Sequence, residues 1–368
     1  MSHLIRALLF IINCKYPVCK NIEVSSIELP LGKTVIESFV YRKKRDSSRG
    51  TILAIHGMTP KGNLDPRMDN VCRALAGIGY IVISPLYKDI QELRIKEEIV
   101  DDIADTIIAI TADKSLSPCG HLSIFSASFS AGMALIAATS PHTRNLVKSI
   151  CAIGSYSDAA SSIKYLLSNK DNDEYGTFIM LNNYLPYSIG YDKDISAALH
   201  TAICDNGYCR EQPELPDFLN TLPKDKQEIF NRLRADASFR LHHWRQACSQ
   251  SNYFSGIIKK LSVIQRISSL SAAVAIIHGA EDRVIPSVES MKLYRRLQQY
   301  KIQSRLCITN AISHGDTTMN PGILPELVNL LFTFSFFFSH AEKGFKSNKQ
   351  IDERLCHLFQ TGSQKITT

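Results

Sequence analysis

No two of the ten cysteines (Cys14, Cys19, Cys72, Cys119, Cys151, Cys204, Cys209, Cys248, Cys307 and Cys356) stand at C-x-x-C spacing. The commonest zinc and dithiol redox signatures are therefore absent, and thiols scattered through the apolar stretches of a long chain read as reduced and mostly buried. Glycine and proline are also sparse, 32 of 368 residues together, which excludes collagen-like and low-complexity chains. At 45% hydrophobic and 21% charged residues the composition is that of an ordinary globular protein with a large core. Near the N-terminus the apolar run from Leu4 to Ile12 is interrupted by Arg6 and is too short for a bilayer, which needs about 20 residues. Asn13-Cys14-Lys15 then lacks the small-residue pattern of a secretory cleavage site. The favoured reading is a packed or surface-lying helix in a cytoplasmic protein; peripheral membrane association through residues 4–12 is the alternative.

A concentrated basic surface is missing as well. The net charge is +7, but residues 1–49 carry nine Lys/Arg against four Asp/Glu, residues 341–368 carry five against three, and the remainder sums to zero. A nucleic-acid enzyme needs its positive surface beside its active site, so nucleic acid is not an expected partner. The run Arg42-Lys43-Lys44-Arg45 reads as a solvated hairpin tip.

Two extended segments, Ile22 to Leu29 and Thr34 to Arg42, flank Pro30-Leu31-Gly32-Lys33 and predict an antiparallel hairpin. Six short apolar runs follow, at 51–56, 80–84, 122–126, 147–153, 273–278 and 304–309. They are rich in Ile and Val and read as strands buried on both faces of a parallel sheet. Helical periodicity lies between them, at 66–78, 96–111, 130–139 and 287–299, with a last helix at 326–338. This alternation predicts a mostly parallel α/β sheet flanked by helices. It stops between residues 161 and 270, a polar, charge-balanced stretch with helical segments at 195–204, 214–222, 226–233 and 239–250. The expected organisation is an N-terminal apolar segment (1–21), a first core part (22–160), a helical insertion (161–270), a second core part (271–340) and a polar tail (341–368).

Four segments carry chemistry. In Phe125-Ser126-Ala127-Ser128-Phe129-Ser130-Ala131-Gly132 a strand runs directly into a helix, with small residues two places either side of Ser128. A nucleophile elbow, normally G-x-S-x-G, has this form, although Ser126 and Ser130 replace the glycines and an ordinary turn would read similarly. In His278-Gly279-Ala280-Glu281-Asp282-Arg283 a buried strand ends in a turn that presents Asp282, which equally fits a helix cap or a pairing with Arg283. His314, in Ser313-His314-Gly315-Asp316, follows the last strand in a loop suited to an exposed imidazole. The order Ser128, Asp282, His314 is that of nucleophile, acid and base in one known triad arrangement. Finally, His56-Gly57-Met58 follows the first parallel strand, where the Met58 N–H and the Phe129 N–H could form a pair of oxyanion donors.

On these residues, over roughly 22–338 apart from the insertion, the chain resembles serine hydrolases of the α/β-hydrolase superfamily, near the dienelactone hydrolase-like and prolyl oligopeptidase-like branches. The resemblance implies an eight-stranded sheet, an insertion acting as a helical lid, and acyl transfer through a covalent ester on Ser128. Asp282 would orient His314, and the amides of Met58 and Phe129 would stabilise the oxyanion. It also implies a small-molecule or acyl substrate, most simply a carboxylic ester, with no metal and no organic cofactor. A peptidase or acyltransferase with the same triad, and a catalytically inactive binding protein, are the alternatives. Tyr175, Phe178, Tyr184, Tyr187 and Trp244 fit the insertion's own core better than an acyl pocket. Lys61, Asp65 and Arg67 could receive an anionic substrate end, though a local Asp65–Arg67 contact is simpler.

Overall fold

The computed structural model describes residues 2–16, 21–32, 34–44, 48–168, 173–206, 210–311 and 324–342. Helix α1 (His3–Lys15) precedes β1 (Ile22–Leu31) and β2 (Thr34–Lys43). Then come β3 (Thr51–Ile55), α2 (Pro66–Gly77), β4 (Ile81–Pro85), α3 (Lys88–Gln91), α4 (Glu98–Ala112), β5 (Leu122–Ala127), α5 (Ser128–Ala137) and β6 (Val147–Ile153). Among the described residues only helices separate β6 from the next strand: α6 (Ala159–Ser168), α7 (Glu174–Tyr184), α8 (Pro186–Ile189), α9 (Lys193–Asn206), α10 (Leu215–Thr221), α11 (Lys224–Ala235), α12 (Ala237–Gln250) and α13 (Asn252–Lys260), with two short 3₁₀ turns after them. The chain then returns to the sheet with β7 (Ala273–Gly279), α14 (Ser287–Gln299), β8 (Ser304–Thr309) and α15 (Leu324–Ala341).

One eight-stranded sheet has the order β1-β2-β4-β3-β5-β6-β7-β8. β1, β2 and β4 pair antiparallel and every pair from β4 through β8 is parallel. From β3 the chain crosses to β4 on one side and then to β5 on the other, so the strand order reverses between β3 and β5. Open α/β sheets place their ligand crevice outside the carboxyl ends of the strands at such a switch point. The His56-Gly57 turn and Ser128 both leave the sheet there.

The Ile- and Val-rich runs form the inner strands because both sheet faces are covered. All of β3, β4 and β7 are buried. β8 departs from that expectation: it is the sheet's edge, and four of its six residues are only half-buried. The basic run needs a second correction. The hairpin turns at Gly32, between Leu31 and Thr34, whereas Ile22 pairs with Lys43, so Arg42, Lys43 and Lys44 lie at the open end of the hairpin. There the Lys44 N–H donates to the Asn21 carbonyl at 2.9 Å; Arg45 is outside the described residues.

A separate hydrophobic cluster between α1, α15 and the sheet fixes α1. Phe10 packs edge-on against Phe125, Phe334 and Phe338, at centroid distances of 5.8, 4.9 and 5.7 Å, filling the space between α1, α15 and the sheet. Arg6 is buried and ion-paired with Glu342, which also accepts the Tyr80 hydroxyl at 2.9 Å. A charge pair removed from water tolerates no rotation that would separate its members, so the orientation of α1 about its own axis is set. Among the described residues no helix is long and apolar enough to cross a membrane.

Candidate active site

Strand β5 passes into α5 with no intervening loop. Ala127 is still extended, and Ser128 turns the chain at φ 58°, in the left-handed region. For a residue with a Cβ that conformation costs about 1–2 kcal/mol, and here it projects Ser128 above the sheet at the head of the helix. The small neighbours have separate jobs. Ser126 and Ser130 are fully buried beneath the turn. Gly132 is the stricter requirement: a Cβ on it would sit 2.3 Å from Cε1 of Tyr156, whose ring is fully buried. Tyr156 in turn stacks on Phe129 at 4.7 Å, so a glycine one turn into the helix lets the ring support the residue after Ser128. Gly132→Ala therefore forces overpacking and should lower stability by about 1–3 kcal/mol. A urea unfolding midpoint unchanged from wild type would show that Tyr156 yields.

The first donor candidate stands on a turn held by a histidine. His56 is buried; its Nε2 accepts the Tyr87 N–H at 3.2 Å, which leaves Nδ1 protonated to donate to the Gly57 carbonyl at 2.9 Å. Removal from water drives the pKa of His56 down from 6.5 to about 4. The neutral ring thus pins the Gly57-Met58 backbone beside Ser128. The sign of the pH effect follows. The unfolded histidine binds a proton below about 6.5 and the folded one does not, so this contribution is complete above that pH and is lost as pH falls towards 4. It amounts to about 3 kcal/mol. His56→Gln keeps an acceptor for Tyr87 and removes the titration; unfolding free energies at pH 7 and 4.5 should converge in the variant relative to wild type. Equal pH dependence in both proteins would contradict this assignment.

Asp282 sits beyond the end of β7. One carboxylate oxygen, Oδ1, accepts the Val284 and Ile285 N–H groups at 2.8 and 2.9 Å, and Oδ2 lies 3.4 Å from His278 Nε2. Its side chain is 2% exposed. Asp282 closes its own turn through these two N–H groups and does not cap α14, whose N-cap is Pro286. His278 is buried and fixed by Ser290 Oγ at 2.6 Å and the Ile285 carbonyl at 2.8 Å. A second buried carboxylate ties α14 to the start of the helical segment. Glu289 accepts from the Ser157 hydroxyl, the Ser161 hydroxyl, the Asp158 N–H and Lys292, at 2.5, 2.8, 3.0 and 2.7 Å. Burial raises its pKa, yet hydrogen bonds from Lys292, Ser157, Asp158 and Ser161 outweigh that and hold it below the usual carboxylate range.

Ser128, Asp282, Met58 and Phe129 all line one cavity of about 440 Å³. His314 lies outside the described residues; Ala311, three positions earlier, is on the cavity wall. Further walls come from α6 and α7 (Ile163, Leu166, Ile179, Met180) and from α1 (Phe10, Cys14). Burial without a compensating partner pushes the Cys14 thiol up to about 12, so it is an inert apolar surface. Of the insertion's aromatics, Phe178, Tyr184 and Trp244 are core. Tyr175 differs: it lines the cavity and donates to the Met58 carbonyl at 2.9 Å, fixing the turn from above. Asp65 and Arg67 form the expected local pair, with Arg67 Nη2 2.7 Å from Oδ2. Nothing in the sequence singled out Tyr156 or the cavity-facing side of α1, and it gave neither Tyr175 nor His56 its role in holding the Gly57-Met58 turn. Only the buried HG pair hinted at one of them.

No protein-family model matches the chain, and no curated protein matches it by sequence. Solved structures do. The esterase of the hyperthermophilic archaeon Pyrobaculum calidifontis aligns over 92% of both chains with a TM-score of 0.52 and 16% identity. Esterase B from Lactobacillus rhamnosis aligns over 95% of both chains (TM-score 0.50, 12% identity), and Pyrococcus horikoshii acylaminoacyl peptidase over 88% of this chain (TM-score 0.53, 16% identity). The present chain spans 42% of that peptidase. With its strand order and these likenesses, the molecule has the α/β-hydrolase fold.

Proposed function

We propose that the protein is a serine hydrolase that cleaves carboxylic esters through an acyl-enzyme on Ser128. The observation that carries this reading is the left-handed Ser128, at the head of α5, opening onto the same cavity as the buried carboxylate of Asp282 and the Gly57-Met58 turn. The hydroxyl attacks the ester carbonyl while its proton passes to His314, which Asp282 orients. Negative charge collects on the carbonyl oxygen between the N–H groups of Met58 and Phe129. The latter is in the first turn of α5, where helix geometry leaves N–H groups without an intrahelical partner. Collapse expels the alcohol, which takes the proton from His314. Water then attacks the acyl-enzyme, and His314 accepts its proton and returns one to Ser128 as the acid leaves. Chain connectivity favours His314 as base, because three residues beyond Ala311 reach at most about 11 Å.

The helical segment 161–270 serves as the lid. Its helices α6 and α7 wall the cavity with apolar side chains and contribute no member of the triad, so it governs access and choice of acyl group more than intrinsic reactivity. The test is a matched panel of p-nitrophenyl acyl esters and p-nitroanilides of acylated amino acids. Turnover of the esters with little or none of the anilides supports the ester reading. Preferential turnover of the anilides would make the protein a peptidase, and turnover of neither, a binding protein.

A further inference from the structure

We propose that the outer face of α1 seats the protein on an anionic lipid surface and thereby brings the Ser128 cavity to the bilayer boundary. Leu4, Ile5, Leu8, Leu9, Ile12 and, at the C-cap, Tyr16 are exposed, by 38, 49, 48, 37, 42 and 63%. At about 100° per residue they fall within an arc of roughly 140°. Arg6, Ala7 and Phe10 occupy the opposite arc and are buried. The outer face of a surface helix is ordinarily polar; this one is aliphatic from Leu4 to Ile12. It cannot turn inward, because Arg6 is held by Glu342 and Phe10 by three phenylalanines. The packed and membrane-facing readings of residues 4–12 are thus compatible, one for each side of the helix. A helix of 13 residues is about 20 Å long, short for crossing a bilayer and suited to lying in its interface.

The charges around the face select the partner. Lys15 is exposed on the same arc at the C-terminal end of the helix, and Lys43 and Lys44 are exposed at the open end of the hairpin. Lys44 is bonded to the backbone of Asn21, which follows Tyr16 by five residues and so lies within about 18 Å of it. Of the basic residues in 1–49, Lys15 thus lies on the apolar arc, and Lys43 and Lys44 stand at the end of the hairpin nearest to it along the chain. Aliphatic side chains flanked by lysines and a tyrosine match the acyl boundary and anionic headgroups of a membrane. The same helix walls the catalytic cavity through Phe10, Ile11, Cys14 and Lys15, so a docked molecule holds its cavity next to the lipid. On the hydrolase reading proposed above, the substrate class is then an amphiphilic ester taken from the membrane; docking itself does not depend on that reading.

The test is co-sedimentation of the full chain with vesicles of phosphatidylcholine alone or mixed in equal parts with phosphatidylserine. Wild type should bind the mixed vesicles, and added salt should weaken the binding. Leu8→Gln/Ile12→Gln should reduce the affinity by on the order of tenfold or more. Lys43→Glu/Lys44→Glu should remove the preference for phosphatidylserine, and it keeps the test open should the helix variant not fold. Ser128→Ala should bind as wild type does, which separates docking from catalysis. Wild type left in the supernatant with both vesicles, or a folded helix variant that binds undiminished, would overturn the proposal. So would a wild-type dimer in sedimentation velocity that the helix substitutions dissociate without any vesicle binding, because a second copy would then own the face.

Discussion

Ser128→Ala should lower kcat for a p-nitrophenyl short-chain ester by on the order of 10⁵–10⁶-fold while leaving the fold intact. Loss of the nucleophile from a triad that acts as a unit has effects of that size, because no neighbouring group can take over the covalent step. Two other serines stand close in sequence, and the structure separates their roles. Ser126 is in β5 with its hydroxyl turned to the Ile55 carbonyl at 3.4 Å, and Ser130 is inside the first turn of α5, fully buried. Ser126→Ala and Ser130→Ala should each retain activity within about an order of magnitude. Alanine also suits the left-handed turn no worse than serine does, so Ser128→Ala should unfold at nearly the wild-type temperature. Loss of activity in either neighbour, with Ser128→Ala unaffected, would place the nucleophile elsewhere.

The second large effect is expected at Asp282. Asp282→Asn should reduce kcat by about 10⁴-fold, the scale associated with losing the carboxylate that selects the tautomer of the catalytic imidazole. Asparagine keeps an oxygen for the Val284 and Ile285 N–H groups, so the turn after β7 should survive the substitution. What changes is the second oxygen, which becomes an amide donor facing His278 Nε2. Glu281 is the neighbouring carboxylate and is exposed. Glu281→Gln should have little effect on turnover, and losses equal to those of Asp282→Asn would undo the assignment.

Much of this architecture could be read from periodicity. Strands Val147–Ile153 and Ser304–Thr309 match the apolar runs residue for residue, since short, mostly apolar runs between helical patterns fit strands of a helix-covered sheet. The edge position of β8 was not legible, because strand order is decided by crossovers that the chain does not spell out locally. Around Ser128 the conformation was readable and its support was not. The small residues at 126 and 130 signalled a tight turn, but the need for Gly132 comes from Tyr156, which reaches it only after β6 is laid beside β5. The same holds for Tyr175, whose bond to Met58 spans 117 positions. The N-terminal segment was half legible: its apolar character marked a helix, while the division into a buried and an exposed face depends on the Arg6–Glu342 pair between chain ends far apart in sequence. His314 was singled out by its place after the last strand and remains an assignment from the sequence, since it lies outside the described residues.

That Ser128 is the nucleophile is tested most directly by covalent trapping. Folded wild-type protein treated with a fluorophosphonate should gain a single adduct, and peptide mass mapping should place it on Ser128, with none formed in Ser128→Ala. An adduct on any other residue, or folded protein that stays unmodified while a known serine hydrolase reacts fully, would contradict the assignment.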